Sequence, residues 1–261
     1  WPLSSMAPLA HTLALLAMAV ATAAINVVHM NMAPDSFDDQ YKQCHDQMMA
    51  ALPALNRSEQ QQNKNFSQVW AKATAAWQKK MSSGSPLSPD QAIAIMAYTM
   101  DDVYSEFNKA VRTAGRSGQQ YRHNFHFKTL HFLLTDALAV LRPSQQCRDV
   151  YRGVRETLFE AKPGDTVRFG QFTSTSLLKR VAEGFGTVTT FRVHTCQGVA
   201  IWDYSEKYYQ QEVLIPPFET FRVTKFTRKG NTAEIELRST GTHSNYDCEL
   251  LLGDSTGTTW G

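Results

Sequence analysis

Apolar residues recur at helical spacing through the first half of the chain. Their stripes advance in steps of three or four residues, which places the members of each stripe on one face of a helix. The stripes cover residues 37–52, 66–77 and 127–141. A capping box at Ser36 predicts a helix start before the first stripe, and Pro53 is expected to end or kink that helix. Ser88 followed by Pro89 predicts the start of another helix, because proline fits the first helical position.

The second half of the chain changes to short runs of β-branched and aromatic residues separated by turn residues. The runs cover residues 150–154, 166–172, 189–195, 199–204, 213–216, 220–227, 233–238 and 246–252. Many short strands at this spacing are typical of a sandwich or of a pair of packed sheets. Since helices precede strands, we predict an α+β fold in which a helical subdomain, residues 24–143, packs on a β core, residues 144–252. The helices carry no visible chemistry and are interpreted as a scaffold.

Both ends of the chain have the composition of targeting or tail segments. The apolar run over residues 9–24 ends in small residues and predicts a signal peptide, residues 1–23, cleaved near Ala23. A membrane anchor is the alternative, but the run is short for a transmembrane segment. Residues 253–261 are a polar tail without the hydrophobic segment that a lipid-anchor signal requires. We therefore expect a secreted or extracellular protein with no transmembrane segment and no visible lipid-anchor tail.

Composition gives no support for a nucleic-acid or membrane partner and leaves the cysteine pairing open. A net charge of +2 over 261 residues gives no argument for nucleic acid or for an anionic membrane surface. Four cysteines and two N-glycosylation sequons, at Asn56 and Asn65, suit an exported glycoprotein, but four cysteines allow three pairings. No metal site is expected, because Cys-x-x-Cys is absent and the histidines lack a third ligand at helical spacing. These histidines are His123, His126 and His131.

Glu212 occupies a position that favours chemistry. It is the last polar residue before the apolar run over residues 213–215, and Pro216 and Pro217 stop that run. A carboxylate there is held by a rigid strand, whereas the polar segment over residues 205–211 can reach a substrate. An ordinary solvated glutamate at a strand entry is the alternative.

Three segments, in order along the chain, resemble the motifs of the vertebrate ecto-ADP-ribosyltransferases. Val150-Tyr151-Arg152-Gly153-Val154 resembles the arginine motif of the first strand, residues 169–176 resemble the Ser-Thr-Ser motif, and residues 210–219 resemble the Glu-x-Glu segment. The likeness runs from Met32 to Leu251. It implies a split β-sheet NAD-binding core and disulfides Cys44–Cys248 and Cys147–Cys196. It also implies NAD or NADP as substrate, no permanently bound cofactor, and arginine side chains of extracellular or membrane proteins as acceptors.

The resemblance also implies roles for individual residues. Cleavage of the glycosidic bond of NAD builds positive charge on the ribose. Glu212 would stabilise that charge, Arg152 would bind the phosphates, and Ser174 would orient the arginine, the glutamate or the ribose. Tyr151 and Gly153 would contact the nicotinamide end of NAD through the same strand. Phe185 would pack on nicotinamide, with a core phenylalanine as the alternative.

Gln210 departs from the family pattern. Arginine-modifying members carry glutamate two residues before the catalytic glutamate, and this extra carboxylate is expected to bind the acceptor guanidinium. A neutral glutamine there puts transfer to arginine in doubt but leaves bond cleavage to Glu212. The sequence therefore predicts an arginine ADP-ribosyltransferase, with an NAD glycohydrolase or a catalytically inactive secreted binding protein as alternatives.

Overall fold

A layer of helices packs on a large mixed β-sheet. The computed structural model describes residues 26–80, 84–142 and 146–252. Its helices are α1 (His45–Gln62), α2 (Lys64–Lys80), α3 (Pro89–Thr99), α4 (Tyr104–Ala114), α5 (Gly118–Asn124), α6 (Lys128–Leu141) and α7 (Lys179–Gly184). Its strands are β1 (Asn26–His29), β2 (Arg148–Val154), β3 (Thr157–Glu160), β4 (Thr166–Val167), β5 (Thr173–Ser176), β6 (Thr189–Thr195), β7 (Val199–Ala200), β8 (Glu212–Ile215), β9 (Glu219–Lys229) and β10 (Thr232–Thr242). The predicted signal peptide and polar tail lie outside the described residues.

Eight strands form one sheet in the order β4-β9-β10-β6-β2-β5-β8-β7. Strands β10 and β6 run parallel, and the other neighbours in this sheet are antiparallel. Strands β1 and β3 form a separate parallel pair. The predicted α+β fold, with N-terminal helices on a sheet core, is confirmed.

Strand β8 is buried on both faces, which explains its uninterrupted apolar sequence. Successive side chains of a strand point to opposite faces. Leu214 accordingly packs into the core that the helices share with the sheet, while Val213 and Ile215 pack into a second core on the other face. The first residue of this strand, Glu212, is thereby anchored on a rigid element.

The predicted start of the first helix is wrong. Helix α1 begins at His45, because the side chains that would cap an earlier helix are bonded elsewhere. Ser36 Oγ donates a hydrogen bond to Gly170 O at 2.7 Å. Asp39, the other member of the predicted capping box, accepts hydrogen bonds from Tyr41 N at 2.8 Å and Glu249 N at 3.1 Å. The helix also continues through Pro53 to Gln62. Proline has no N–H to donate to the backbone carbonyl one turn earlier, and because Pro53 is exposed, water can reach that carbonyl.

Three predicted strands are shorter than expected or absent. The run over residues 166–172 is a strand only in β4, because the Arg168 side chain turns inward and donates to Met32 O at 2.8 Å. The run over residues 199–204 becomes a 3₁₀ turn at Trp202–Tyr204 after β7. Residues 246–252 form a 3₁₀ turn at Glu249–Leu251 instead of a strand. Backbone N–H groups in this last segment donate to the Asp38 and Asp39 carboxylates rather than to a neighbouring strand.

The two disulfides implied by the resemblance are present. Cys44 is bonded to Cys248, which fastens the start of α1 to the C-terminal 3₁₀ turn. Cys147 is bonded to Cys196, which links the ends of the neighbouring strands β2 and β6. None of the described helices is both long and apolar enough to cross a bilayer.

Candidate active site

Three sequence motifs meet on three adjacent strands. Strands β2, β5 and β8 lie side by side in the sheet. Ser176 of β5 pairs with Glu212 of β8, so Ser174, two residues away on the same face, lies diagonally opposite Glu212. Arg152 is on β2, and its Nη1 donates to Ser174 O at 2.8 Å. Residues that are 60 positions apart in the sequence thus share one site because their strands are neighbours.

A cleft of about 640 Å³ contains this site, between the sheet and helices α3 and α4. All the site residues predicted from the sequence line it: Tyr151, Arg152, Gly153, Ser174, Phe185, Gln210 and Glu212. Its volume lies within the usual range of small-molecule sites, about 300–1,000 Å³. The three motifs therefore line one cavity although they are far apart in the sequence.

Glu212 is 7% exposed, so it is not a solvated glutamate at a strand entry. Burial raises the pKa of its carboxyl, and a hydrogen bond from Ser174 together with the charges of Lys207 and Arg152 acts in the opposite direction. Burial is the larger effect, so the pKa of Glu212 is raised overall. The carboxyl group thus faces the cleft from a buried position, close to a hydroxyl and two cations.

The backbone before Glu212 is held in a tight turn. Gln211 has a left-handed φ of 45°, and its carbonyl accepts a hydrogen bond from Leu177 N at 3.2 Å. Ser176 Oγ donates to Gln210 O at 2.6 Å. The last serine of the Ser-Thr-Ser motif therefore positions the segment that carries Gln210 and Glu212.

Arg152 is half-buried and aimed into the cleft rather than at bulk solvent. Burial lowers the pKa of its guanidinium, which the nearby Glu212 carboxylate counteracts. An arginine pKa starts so high that the side chain stays cationic. Arg152 therefore brings a permanent positive charge close to the Glu212 carboxyl group.

Gly153 makes room for the chain's own backbone. A Cβ at this position would lie 2.2 Å from both Ala182 O and Gly186 O, at the end of α7. The space that a side chain at position 153 would need is thus filled by backbone atoms of α7 and the turn after it. Gly153 also lines the cleft. That turn carries Phe185, which is 54% exposed and lines the cleft, so Phe185 is not a core residue.

The helical layer contributes polar groups that the sequence interpretation missed. Tyr98 of α3 places its hydroxyl 3.3 Å from Ser174 Oγ and donates to Phe172 O at 3.0 Å. Asn108 of α4 donates to the Tyr98 hydroxyl at 3.2 Å. Burial, and next the charge of Glu212, raises the pKa of Tyr98 to about 12, so its hydroxyl stays protonated. The interpretation of the helices as a scaffold without chemistry is wrong, because their apolar periodicity concealed two buried polar residues.

The charges around the cleft suit an anionic ligand. Among the described lining residues, five carry a permanent or nearly permanent positive charge and two carry a carboxylate. The cations are Arg112, Arg152, Arg155, Arg168 and Lys207, and the carboxylates are Asp101 and Glu212. Arg168 is neutralised by its buried ion pair with Asp38, so the excess of positive charge comes from the other cations. Guanidinium groups match phosphate oxygens in pairs. One group of three potential metal ligands occurs in the described chain, Cys147, His194 and Cys196, but its two sulfurs form a disulfide.

Comparison with known proteins finds close relatives over most of the chain. Residues 30–245 match the family model described as NAD:arginine ADP-ribosyltransferase. The erythroblast NAD(P)(+)--arginine ADP-ribosyltransferase of Gallus gallus is 52% identical over 233 residues, which cover 87% of this chain and 77% of that protein. The GPI-linked NAD(P)(+)--arginine ADP-ribosyltransferase 1 of Homo sapiens is 43% identical over 244 residues, which cover 86% of this chain and 75% of that protein.

Solved structures share the fold. The crystal structure of the eukaryotic mono-ADP-ribosyltransferase ART2.2 superposes with a TM-score of 0.74 at 35% identity and covers 85% of this chain and 98% of its own. A mutant of ART2.2 crystallised in complex with NAD superposes with a TM-score of 0.74 at 34% identity and the same coverage. Because the family model spans most of the sequence and the relatives keep both sequence and fold, this chain belongs to the NAD:arginine ADP-ribosyltransferase family.

Proposed function

We propose that this chain cleaves NAD or NADP, releases nicotinamide and transfers ADP-ribose to arginine side chains. The observation that carries this proposal is the meeting of Arg152, Ser174 and Glu212 in one cleft with a cationic lining. Its relatives in Gallus gallus and Homo sapiens are named as enzymes that use NAD(P) and arginine. The NAD complex of ART2.2 supports NAD as a substrate, with no cofactor bound permanently.

Glu212 is the residue that acts on the reacting bond. The bond between ribose C1′ and the nicotinamide nitrogen breaks, and its electron pair leaves with nicotinamide. The ribose becomes an oxocarbenium ion. A carboxylate beside the 2′-hydroxyl stabilises this positive charge, so it stabilises the transition state more than it stabilises the bound substrate. The burial of Glu212 strengthens this effect, because little water screens its charge.

The neighbouring residues bind and orient the substrate. Arg152 supplies a fixed cation for the pyrophosphate and is itself held by the Ser174 carbonyl. The Ser174 hydroxyl lies between Tyr98 and Glu212, so it orients the carboxylate. Tyr151 and Gly153 line the same wall, and exposed Phe185 offers a ring on which nicotinamide can stack.

The acceptor completes the reaction by attack on C1′. An arginine nitrogen forms the new C–N bond with its lone pair and loses one proton, whereas water forms a C–O bond and yields free ADP-ribose. Hydrolysis is the second candidate outcome, because Gln210 offers the acceptor a neutral amide in place of a carboxylate. Two disulfides favour an oxidising, extracellular setting, so the acceptors we propose are arginine side chains of extracellular or membrane proteins.

One product assay tests the proposal. The purified protein is incubated with NAD, with and without the arginine analogue agmatine, and nicotinamide, ADP-ribose and ADP-ribosyl-agmatine are separated by chromatography. We expect release of nicotinamide and formation of ADP-ribosyl-agmatine. Glu212→Gln keeps the shape of the side chain and removes its charge, so it should lower turnover by about a hundredfold or more while NAD still binds.

The alternatives give different outcomes in the same assay. A glycohydrolase would release nicotinamide and ADP-ribose without forming the agmatine adduct. A secreted binding protein would release no nicotinamide, although it could bind NAD in a titration. A Glu212→Gln variant that kept half of the wild-type turnover would remove Glu212 from the catalytic role.

A further inference from the structure

An ion pair joins two residues that line the cleft. Asp101 lies in the turn between α3 and α4, and Lys207 lies in the 205–211 segment that leads to Glu212. Lys207 Nζ is 2.6 Å from Asp101 Oδ1. Both residues line the cleft, and the Asp101 side chain is 78% exposed.

Asp101 is the one carboxylate that remains available for a cationic acceptor. Among the described lining residues, only Asp101 and Glu212 carry a carboxylate. Glu212 is buried and serves the ribose, and Gln210 is neutral. A guanidinium that enters this cleft therefore meets a single exposed anion.

Lys207 shows that a cation at Asp101 is close enough to affect the reacting centre. The Lys207 charge lowers the pKa of Glu212, after the larger effects of burial and of Ser174. Burial lowers the pKa of Lys207 itself, but the hydrogen bond and charge of Asp101 outweigh it and leave the pKa raised. A positive group bound by Asp101 thus lies within electrostatic reach of the catalytic carboxylate.

We propose that Asp101 binds the guanidinium of the acceptor arginine and that Lys207 is the resident cation which the acceptor displaces. This assignment rests on the proposed transferase function and names the residue that replaces the missing carboxylate at position 210. A guanidinium can donate two parallel hydrogen bonds to a carboxylate, whereas an ammonium bonds it as a point charge. The exchange therefore favours the acceptor. Because the Asp101 side chain is exposed, the acceptor can approach it from solvent.

The test compares single variants of the two partners. KM for agmatine and the ratio of ADP-ribosyl-agmatine to ADP-ribose are measured at saturating NAD. Asp101→Asn should raise KM for agmatine by about tenfold and lower the ratio, because a charge-assisted hydrogen bond is lost. Lys207→Gln should lower KM for agmatine, because the competing cation is gone. The double variant should behave like Asp101→Asn alone.

The opposite signs separate acceptor binding from a structural latch. If the ion pair only held the 205–211 segment in place, either single change would break it and both would shift KM in the same direction. Asp102→Asn is the matched control, since Asp102 is the next residue, pairs with Lys72 at 2.7 Å and is not among the residues that line the cleft. This control should leave KM for agmatine unchanged.

Each other result overturns the assignment. An unchanged KM in Asp101→Asn, or a raised KM in Lys207→Gln, would exclude it while the transferase function stands. A wild-type protein that forms no ADP-ribosyl-agmatine would overturn the proposed function and this assignment together.

Discussion

At the scale of single residues, hydrogen bonds connect the helical layer to the site. The Tyr98 hydroxyl has one proton, which it donates to Phe172 O, so its oxygen accepts from Asn108 and from Ser174. Tyr98 thereby competes with Glu212 for the single proton of the Ser174 hydroxyl, whose hydrogen bond lowers the pKa of Glu212. The Asn108 Oδ1 atom has no hydrogen-bond partner among the described residues.

Removal of the Tyr98 hydroxyl should shift the pH dependence of the reaction. Tyr98→Phe keeps the ring packing and removes the oxygen that competes with Glu212 for the Ser174 proton. The Ser174 hydrogen bond lowers the pKa of Glu212, so a Ser174 hydroxyl that is free to donate there lowers that pKa further. The proposed reaction uses the carboxylate, and the acid limb of kcat/KM for NAD should therefore move to lower pH, by about half a unit.

Tyr246→Phe is the control for this shift. The Tyr246 hydroxyl donates to Gly115 O at 2.8 Å, and Tyr246 is not among the residues that line the cleft. Its loss should leave the pH profile in place. An acid limb that Tyr98→Phe does not move would show that Tyr98 serves only packing.

We predict that residue 210 influences how the reaction divides between water and arginine. Gln210→Glu adds a carboxylate in the cleft that can pair with a guanidinium through two charge-assisted hydrogen bonds. We expect the ratio of ADP-ribosyl-agmatine to ADP-ribose to rise by about tenfold, with total NAD turnover within a few fold.

Gln211→Glu provides the same change of charge one residue away. Gln211 is exposed and is not among the residues that line the cleft, so this variant should leave the product ratio near that of the wild type. Equal ratios in wild type and Gln210→Glu would mean that residue 210 does not face the acceptor.

At the scale of elements, strand β2 packs closely against helix α7 and the turn after it, and two glycines allow this contact. A Cβ on Gly153 would meet backbone oxygens of Ala182 and Gly186, and a Cβ on Gly186 would meet the backbone at Arg155 at 2.3 Å. Backbone atoms cannot rotate away as a side chain does. The contact therefore fixes the turn that presents Phe185 to the cleft.

Gly153→Ala should displace that turn. We expect a loss of about 1–3 kcal/mol in the free energy of unfolding, as is usual for overpacking, and a higher KM for NAD because Phe185 moves. Gly184→Ala, on α7 itself, is the control, because nothing lies within 4 Å of its added Cβ. Urea unfolding and initial rates measure the two effects, and equal behaviour of both variants would contradict the packing argument.

At the scale of the whole molecule, the N-terminal and C-terminal segments of the described region are joined to each other and to the segment after β4. The buried Asp38–Arg168 pair joins the segment before α1 to the sheet, and Asp38 also accepts from Asn245 N at 2.8 Å. The Cys44–Cys248 disulfide closes the same junction covalently. The N-terminal and C-terminal segments are thus held against each other beside the helical layer.

The two disulfides should differ in their contribution to stability. A crosslink that closes a longer loop removes more entropy from the unfolded chain. Cys44 and Cys248 are separated by 204 residues, and Cys147 and Cys196 by 49. The double Cys→Ser variant of the first pair should therefore lose about 1 kcal/mol more in the free energy of unfolding than that of the second pair. Urea titration of both variants measures the difference, and a larger loss in the second variant would contradict the loop argument.

The sequence by itself determined the features that depend on local chemistry. The helix start predicted at Ser88 and Pro89 is confirmed, with Ser88 as the N-cap and Pro89 as the first residue of α3. The apolar stripes of α2 and α6 lie on buried helix faces. The motif residues that line the cleft could be named in advance through their resemblance to the family's motifs, and Glu212 was also indicated by its position before a short apolar strand. Periodicity and side-chain chemistry are properties of residues that are close together in the chain, so the sequence alone shows them.

Only the tertiary structure decided the features that depend on distant partners. Ser36 does not cap a helix because Gly170, far along the chain, accepts its hydroxyl. Residues 246–252 do not form a strand because Asp38 and Asp39 bind their backbone. Tyr98 and Asp101 line the cleft because helices α3 and α4 pack beside strands β5 and β8. A hydrogen bond or an ion pair between residues far apart in the sequence forms only when packing brings the two groups together. A local sequence pattern therefore does not predict it.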